Sequence, residues 1–124
     1  MSNTEDIVRD NAKLQAIINW LTDKKAENIR VYDVQSKADY TDVIVVCEGS
    51  ADVHNKAIAN YLVDMAKENK LNVLSKEGID YGQWILIDIG DTIVHIFLPQ
   101  TREYYKIDEL FTKVKNRIPG EDLI

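Results

Sequence analysis

The stretch WILIDIGDTIVHIFLP, from Trp84 to Pro99, sets an aspartate and a histidine inside two runs of branched apolar residues. A carboxylate near an imidazole is the pairing that general acid–base catalysis uses, so Asp88 and His95 are the first candidates for chemistry. No nucleophile lies at a predictable distance from them, and a structural hydrogen bond across the hairpin is a better reading than a catalytic dyad. The other histidine is His54, too distant in sequence to argue for a metal site, and no G-x-S-x-G, H-E-x-x-H or cysteine–histidine signature occurs. Placed just after Gly49-Ser50, His54 reads as a surface or capping residue. Cys47, the lone cysteine, lies within DVIVVCEG and fits a small buried thiol better than a reactive one. No catalytic residue, metal or cofactor is expected from these residues.

A second chemistry is suggested by CEGSADVH. A strand, a Gly-Ser pair and a helix N-terminus are how nucleotidyltransferases hold a phosphate, with exposed amides and the helix dipole. Those enzymes also need carboxylates one residue apart on a strand to bind magnesium. LNVLSKE contains no aspartate, and Asp88 and Asp91 are three apart across a turn, which should point them differently. A degenerate, nucleotide-binding enzyme of nucleotidyltransferase type remains the alternative function.

These residues sit in a chain of 124 residues that is 45% hydrophobic, the size and apolar content of a single domain with one core. No apolar run approaches the roughly 20 residues of a membrane span. The opening MSNTEDIVRD lacks the basic-then-apolar layout of a secretory signal, so a cytoplasmic protein is expected. The net charge of −6 argues against a surface that neutralises many phosphates. Even the densest basic segment, FTKVKNRI, fits a helix end facing its own dipole. Direct nucleic-acid binding is disfavoured.

The elements follow from spacing. SNTE reads as a capping box of Ser2 and Glu5, and Ile7, Leu14, Ile18 and Leu21 recur on one face, predicting a helix from about Asn3 to Lys25. NIRVYDV, Asn28 to Val34, alternates like a strand, and QSKADY is turn material. DVIVVCE, Asp42 to Glu48, has the composition of a strand buried on both faces. Ser50 then caps a second helix reaching about Lys70, carried by Val53, Ala57, Tyr61, Leu62 and Met65. LNVLSKEG is a shorter strand and IDYG a turn. The opening stretch supplies two strands, and TREYYKIDELFTKVKN returns to helical spacing through Tyr104, Ile107, Leu110 and Val114. The order α, β, β, α, β, β, β, α predicts an α/β fold, a mixed β-sheet with flanking helices, over residues 1–116. Residues 117–124 are expected to form a loosely held, flexible tail.

A two-residue turn at Gly90-Asp91 determines the hairpin register. One face then carries Trp84 opposite Phe97, Leu86 opposite His95, and Asp88 opposite Ile93. The other carries Ile85 opposite Ile96 and Ile87 opposite Val94. The aliphatic face suits the core. Trp, Phe and Leu beside His and Asp suit a protein interface, but a helix covering this face would make Trp84 a core residue; the hairpin alone leaves both readings open.

YDVQSKADYTDVIVVCEGSADVHNKAIA followed by EGIDYGQWILIDIGDTIVHIFLPQTREYYKIDELF resembles the Iojap family of ribosomal silencing factors. The landmarks occur in order over about Asp33 to Phe111. The resemblance implies a non-catalytic domain with a nucleotidyltransferase-like fold. It would bind the large ribosomal subunit through large-subunit ribosomal protein fourteen and sterically block joining of the small subunit under nutrient limitation. Mapped onto this chain, the family's partner-binding tryptophan is Trp84, and its neighbouring strand contributes Phe97. Leu86 is added as their apolar neighbour, with Arg102 and Tyr105 from the following segment; Tyr105 could equally be core, and Arg102 could cap or pair with an acidic neighbour. A weak homodimer is also compatible with the resemblance. Relatives often read Gly-Thr-Ser where Glu48-Gly49-Ser50 stands, a basic residue at Val53 and tryptophan at Phe111. These departures bear on ligand binding at the Gly-Ser corner, not on the fold.

Overall fold

The computed structural model describes residues 11–34 and 43–116. In chain order the elements are α1 (Ala12–Asp23), β1 (Glu27–Asp33), β2 (Val43–Glu48), α2 (Asp52–Glu68), β3 (Ser75–Glu77), β4 (Trp84–Asp88), β5 (Thr92–Phe97), α3 (Pro99–Tyr104) and α4 (Ile107–Asn116). The strands form one sheet in the order β1-β2-β5-β4-β3. Only β2 and β5 run parallel; the remaining pairs are antiparallel, making the sheet mixed as expected.

The faces follow from the side-chain period of two. On one, Val43, Val45 and Cys47 of β2 join Ile85, Ile87, Val94 and Ile96 of the hairpin against α1 and α2. Leu14, Ile17, Trp20 and Leu21 of α1 and Ile58, Leu62 and Ala66 of α2 complete this core. On the other face, Ile44, Val46 and Phe97 meet Val34 and Ile107, with Tyr32 and Phe111 packed alongside. The strand β2 is therefore buried on both sides, as its composition predicts. The hairpin register is the predicted one, pairing Trp84 with Phe97, Leu86 with His95, Asp88 with Ile93, Ile85 with Ile96 and Ile87 with Val94. Gly90 takes φ +84, the left-handed backbone that the two-residue connection requires.

Several boundaries differ from expectation. A helix continuous from Asn3 is ruled out at Asn11, whose backbone is extended at φ −127 and ψ 98 while its Oδ1 accepts the Leu14 amide at 3.0 Å. Asparagine caps the helix there because its short side chain competes for a backbone donor. The Ser2–Glu5 capping box, the QSKADY turn and the 117–124 tail lie outside the described residues.

The second helix is capped by extended Ala51 rather than Ser50. Here His54 reaches back, its Nδ1 accepting the Ser50 amide at 2.9 Å and its Nε2 meeting the Lys24 carbonyl at 2.8 Å. His54 thereby ties the end of α1 to the start of α2, a capping role.

The single helix expected over 101–116 is two, broken where Lys106 adopts φ +50. Arg102 and Asp108 clasp across the break through Nε–Oδ2 at 2.7 Å and Nη2–Oδ1 at 2.9 Å, and α4 turns back to bury Ile107 against β1 and β2. At the sheet's outer margins, β1 is irregular between Glu27 and Arg30, with Asn28 at φ +52, and β3 is only three residues long.

Candidate docking site on the open half of the sheet

Helix α4 packs across β1 and helix α3 against β5, and among the described residues no helix is packed comparably over the β4 side of the same face. Trp84 is 38% exposed there, Leu86 and Asp88 are half-buried, and Glu77 lies beside Leu86 on the neighbouring strand. Among the described residues a helix layer thus covers only part of the face, and Trp84, 38% exposed, is not a core tryptophan.

Trp84 belongs to a continuous chain of rings. Its centroid lies 4.9 Å from Phe97, 5.6 Å from Tyr105 and 6.1 Å from His95. His95 stacks on Phe97 at 5.9 Å and meets Phe111 at 5.2 Å, while Tyr104 sits edge-on to Tyr105 at 4.9 Å. Such spacings are those at which aromatic pairs attract beyond simple area burial. The indole Nε1 of Trp84 donates to His95 Nδ1 at 3.0 Å, which fixes the indole plane. Burial pushes the His95 pKa down to about 4, so the ring is neutral near pH 7 and can accept that bond. A rigid indole, held by one hydrogen bond and backed by a phenyl ring, presents a large apolar area at little entropic cost on binding.

The five residues expected to touch a partner separate by depth. Trp84, Leu86 and Tyr105 reach the surface, Tyr105 being 55% exposed. Phe97 is fully buried beneath Trp84. Arg102 is buried as well: besides Asp108, its Nη1 donates to the Asn28 carbonyl at 2.8 Å and to Glu48 Oε2 at 3.0 Å. Arg102 therefore anchors α3 and α4 to the sheet. The Arg102 guanidinium, and after it the Tyr32 hydroxyl, hold the Asp108 carboxyl below its ordinary range against the opposing effect of burial. An open cleft of about 930 Å³ lies beside this network, between β1 and the two C-terminal helices.

Sequence reasoning passed over Tyr104 and Phe111 as parts of this surface. Helical spacing places Tyr104 on one face with Ile107, Leu110 and Val114, and Phe111 figures only as a departure from the family's tryptophan; the break at Lys106 leaves Tyr104 78% exposed, and Phe111 packs against His95.

The catalytic candidates do not converge. Asp88 Oδ1 accepts the Gly90 amide at 3.0 Å, and His95 Nδ1 is engaged by Trp84, so the hydrogen bond expected between them is replaced by two separate ones. Burial pushes the Cys47 thiol up to about 12, keeping it protonated and inert. At the Gly-Ser corner the Gly49 amide donates to Phe97 O at 3.1 Å, the Ser50 amide to His54, and the Val53 amide to Asp52 Oδ1 at 2.8 Å. A Cβ at Gly49 would come within 2.1 Å of Asn55 Oδ1. These three amides are thus engaged by the chain's own groups, and the acidic Asp52 stands in the first helical turn. Among the described residues, no group of three or more His, Cys, Asp or Glu side chains is gathered to hold a metal ion.

The sequence pattern of the family described as "Ribosomal silencing factor during starvation" matches residues 8–123. The chain belongs to the ribosomal silencing factor family. It is 37% identical to the ribosomal silencing factor of Bacillus subtilis, over 72% of this chain and 75% of that one. The silencing factor of Halalkalibacterium halodurans is 33% identical over 79% of this chain and 84% of its own. A mouse protein named for mitochondrial assembly of the ribosomal large subunit is 32% identical over 80% of this chain and 45% of its own. Among solved structures, a Chromobacterium violaceum protein superposes with a TM-score of 0.77 at 32% identity, covering 79% of this chain and 82% of that one. The silencing-factor fold is thus shared, and the resemblance read from the sequence is to the right family.

Proposed function

We propose that the protein is a translational repressor that binds the large ribosomal subunit through large-subunit ribosomal protein fourteen and sterically blocks joining of the small subunit when nutrients are scarce. Membership of the silencing-factor family supports a ribosome-associated, regulatory role. The observation that carries the docking reading is Trp84, 38% exposed on an open sheet face yet locked by His95 and backed by Phe97. Trp84, Leu86 and Tyr105 contact the partner. Phe97 is the floor under the indole, and Arg102 positions Tyr105 by holding α3 to the sheet. Glu77 and Asp88 beside the apolar centre, in a chain of net charge −6, favour a basic protein surface and disfavour RNA. Repression requires no catalysis: a ligand that binds the free large subunit and is excluded from joined ribosomes draws the equilibrium towards separate subunits by mass action. Such a protein acts in the cytoplasm, and no helix among the described residues is long and apolar enough to cross a membrane.

Sucrose-gradient sedimentation of purified subunits under joining conditions tests the proposal. Excess protein is expected to deplete joined particles and to travel with the large subunit alone. Undiminished joining, with the protein left at the top of the gradient, overturns it. Sedimentation equilibrium of the protein alone at several concentrations reports whether the same face pairs two copies, which would then compete with docking.

A further inference from the structure

Both histidines carry their proton on Nε2, and their hydrogen bonds dictate it. An indole N–H can only donate, so His95 Nδ1, 3.0 Å from Trp84 Nε1, must accept. The Ser50 amide imposes the same tautomer on His54, whose Nε2–H then donates to the Lys24 carbonyl at 2.8 Å. His95 Nε2–H has no such acceptor among the described residues, although the residue is only 7% exposed. Nor is that atom sealed inside: among the described residues, Asn55 Oδ1 is the side-chain polar atom that is both fully buried and unpartnered. The remaining accessible part of His95 therefore includes a fixed, unsatisfied donor, set among Phe97, Phe111 and Leu86.

We infer that His95 is the polar selector of the docking face, its Nε2–H donating to a backbone carbonyl, amide or hydroxyl oxygen on the docked protein. The inference rests on the proposed function and adds the chemistry that the partner must present at one point. In the free protein, water reaches the donor; docking of an apolar surface removes that water. A partner offering only hydrocarbon, or an ammonium group with no lone pair, leaves the donor unpaired in a low-dielectric contact. A partner that places an oxygen there binds about ten- to a hundredfold more tightly. The apolar rings supply area, and this single donor discriminates between surfaces of similar shape.

Two substitutions separate the two ring nitrogens. Asparagine reaches only as far as Nδ1, so His95→Asn keeps an acceptor for Trp84 and loses the outer donor. Glutamine reaches the Nε2 position, so His95→Gln restores it. Titration calorimetry of the full chain against isolated ribosomal protein fourteen, and cosedimentation with large subunits, should show His95→Asn weakened about ten- to a hundredfold and His95→Gln retaining more affinity. Nitrogen–proton correlation spectra of the wild-type imidazole supply a reading independent of variant folding. They should show the Nε2–H tautomer in the free protein and a downfield-shifted Nε2 proton in the complex with ribosomal protein fourteen. Unchanged affinity of His95→Asn, an Nδ1–H tautomer, or an Nε2–H signal unmoved on binding overturns the selector while leaving the docking face intact. A wild-type protein that binds neither probe overturns the docking reading, and the selector with it.

Discussion

Acidification should destabilise the protein through His95 before it reaches Asp91 or Asp108. Burial alone lowers the His95 pKa from 6.5 to about 4, and no charged neighbour contributes. The unfolded chain therefore binds this proton more readily than the folded one, so stability rises with pH across that interval. Its contribution is complete above 6.5, declines as pH falls, and is exhausted near 4. One proton taken up on unfolding gives a slope approaching 1.4 kcal/mol per pH unit, or about 3 kcal/mol in all. That is a large share of the roughly 5–15 kcal/mol expected for a domain of this size. Asp91 and Asp108, held below their ordinary 3.8 chiefly by Lys13 and Arg102, lose their contributions only at lower pH, so the windows separate. Urea unfolding followed by circular dichroism at pH values from 7 to 4.5 measures the effect, with His95→Asn as the non-titrating control. The variant should show a flatter profile than the wild type across this range. Parallel profiles for the two, or an imidazole that titrates near 6.5 in the folded protein, would refute the reasoning.

The other substitutions probe packing and the partner. Trp84→Ala should abolish cosedimentation with the large subunit while leaving the far-ultraviolet circular dichroism unchanged; retained binding would move the site elsewhere. Arg102→Met strands the partly buried Glu48 and the clasping Asp108, and should cost about 3 kcal/mol or more in urea unfolding, against near-neutrality if the network is only a surface ornament. Gly49→Ala forces a Cβ to within 2.1 Å of Asn55 Oδ1, so a loss of about 1–3 kcal/mol is expected in the same assay. Lys13→Ala removes a partly exposed ion pair with Asp91 together with the Nζ hydrogen bond to the Ile89 carbonyl, and should cost about 1–2 kcal/mol in the same assay.

The hairpin was legible because a glycine-led, two-residue connection leaves one register, and alternating side chains then assign every residue to a face. The burial of β2 was legible from its unbroken β-branched run. What sequence could not decide was what lay above Trp84, because that depends on where the C-terminal helices land. Their landing depends on Arg102 bonding to Asp108, Glu48 and Asn28, groups widely separated in the chain. The break at Lys106 escaped detection because no glycine or proline marks it; the clasp imposes a backbone that helical spacing alone opposes. Asp88 and His95 illustrate the same limit. Each can reach several neighbours across a strand pair, and Trp84 and the Gly90 amide present better-placed partners than they present to each other.

The irregular β1 and the three-residue β3 have a consequence for a protein with exposed aromatic rings on its sheet face. A sheet edge offers unpaired backbone groups to any other strand, and an exposed apolar face beside a regular edge invites ribbon growth. Here one margin is kinked at Asn28, whose carbonyl is occupied by Arg102, and the other is a short Ser-Lys-Glu segment. Self-association by strand addition is therefore obstructed at both ends, while the rings between them stay available. Among the described residues, the sheet margins thus offer little regular backbone for pairing, and contact through the proposed docking face is left to side chains rather than to strand edges.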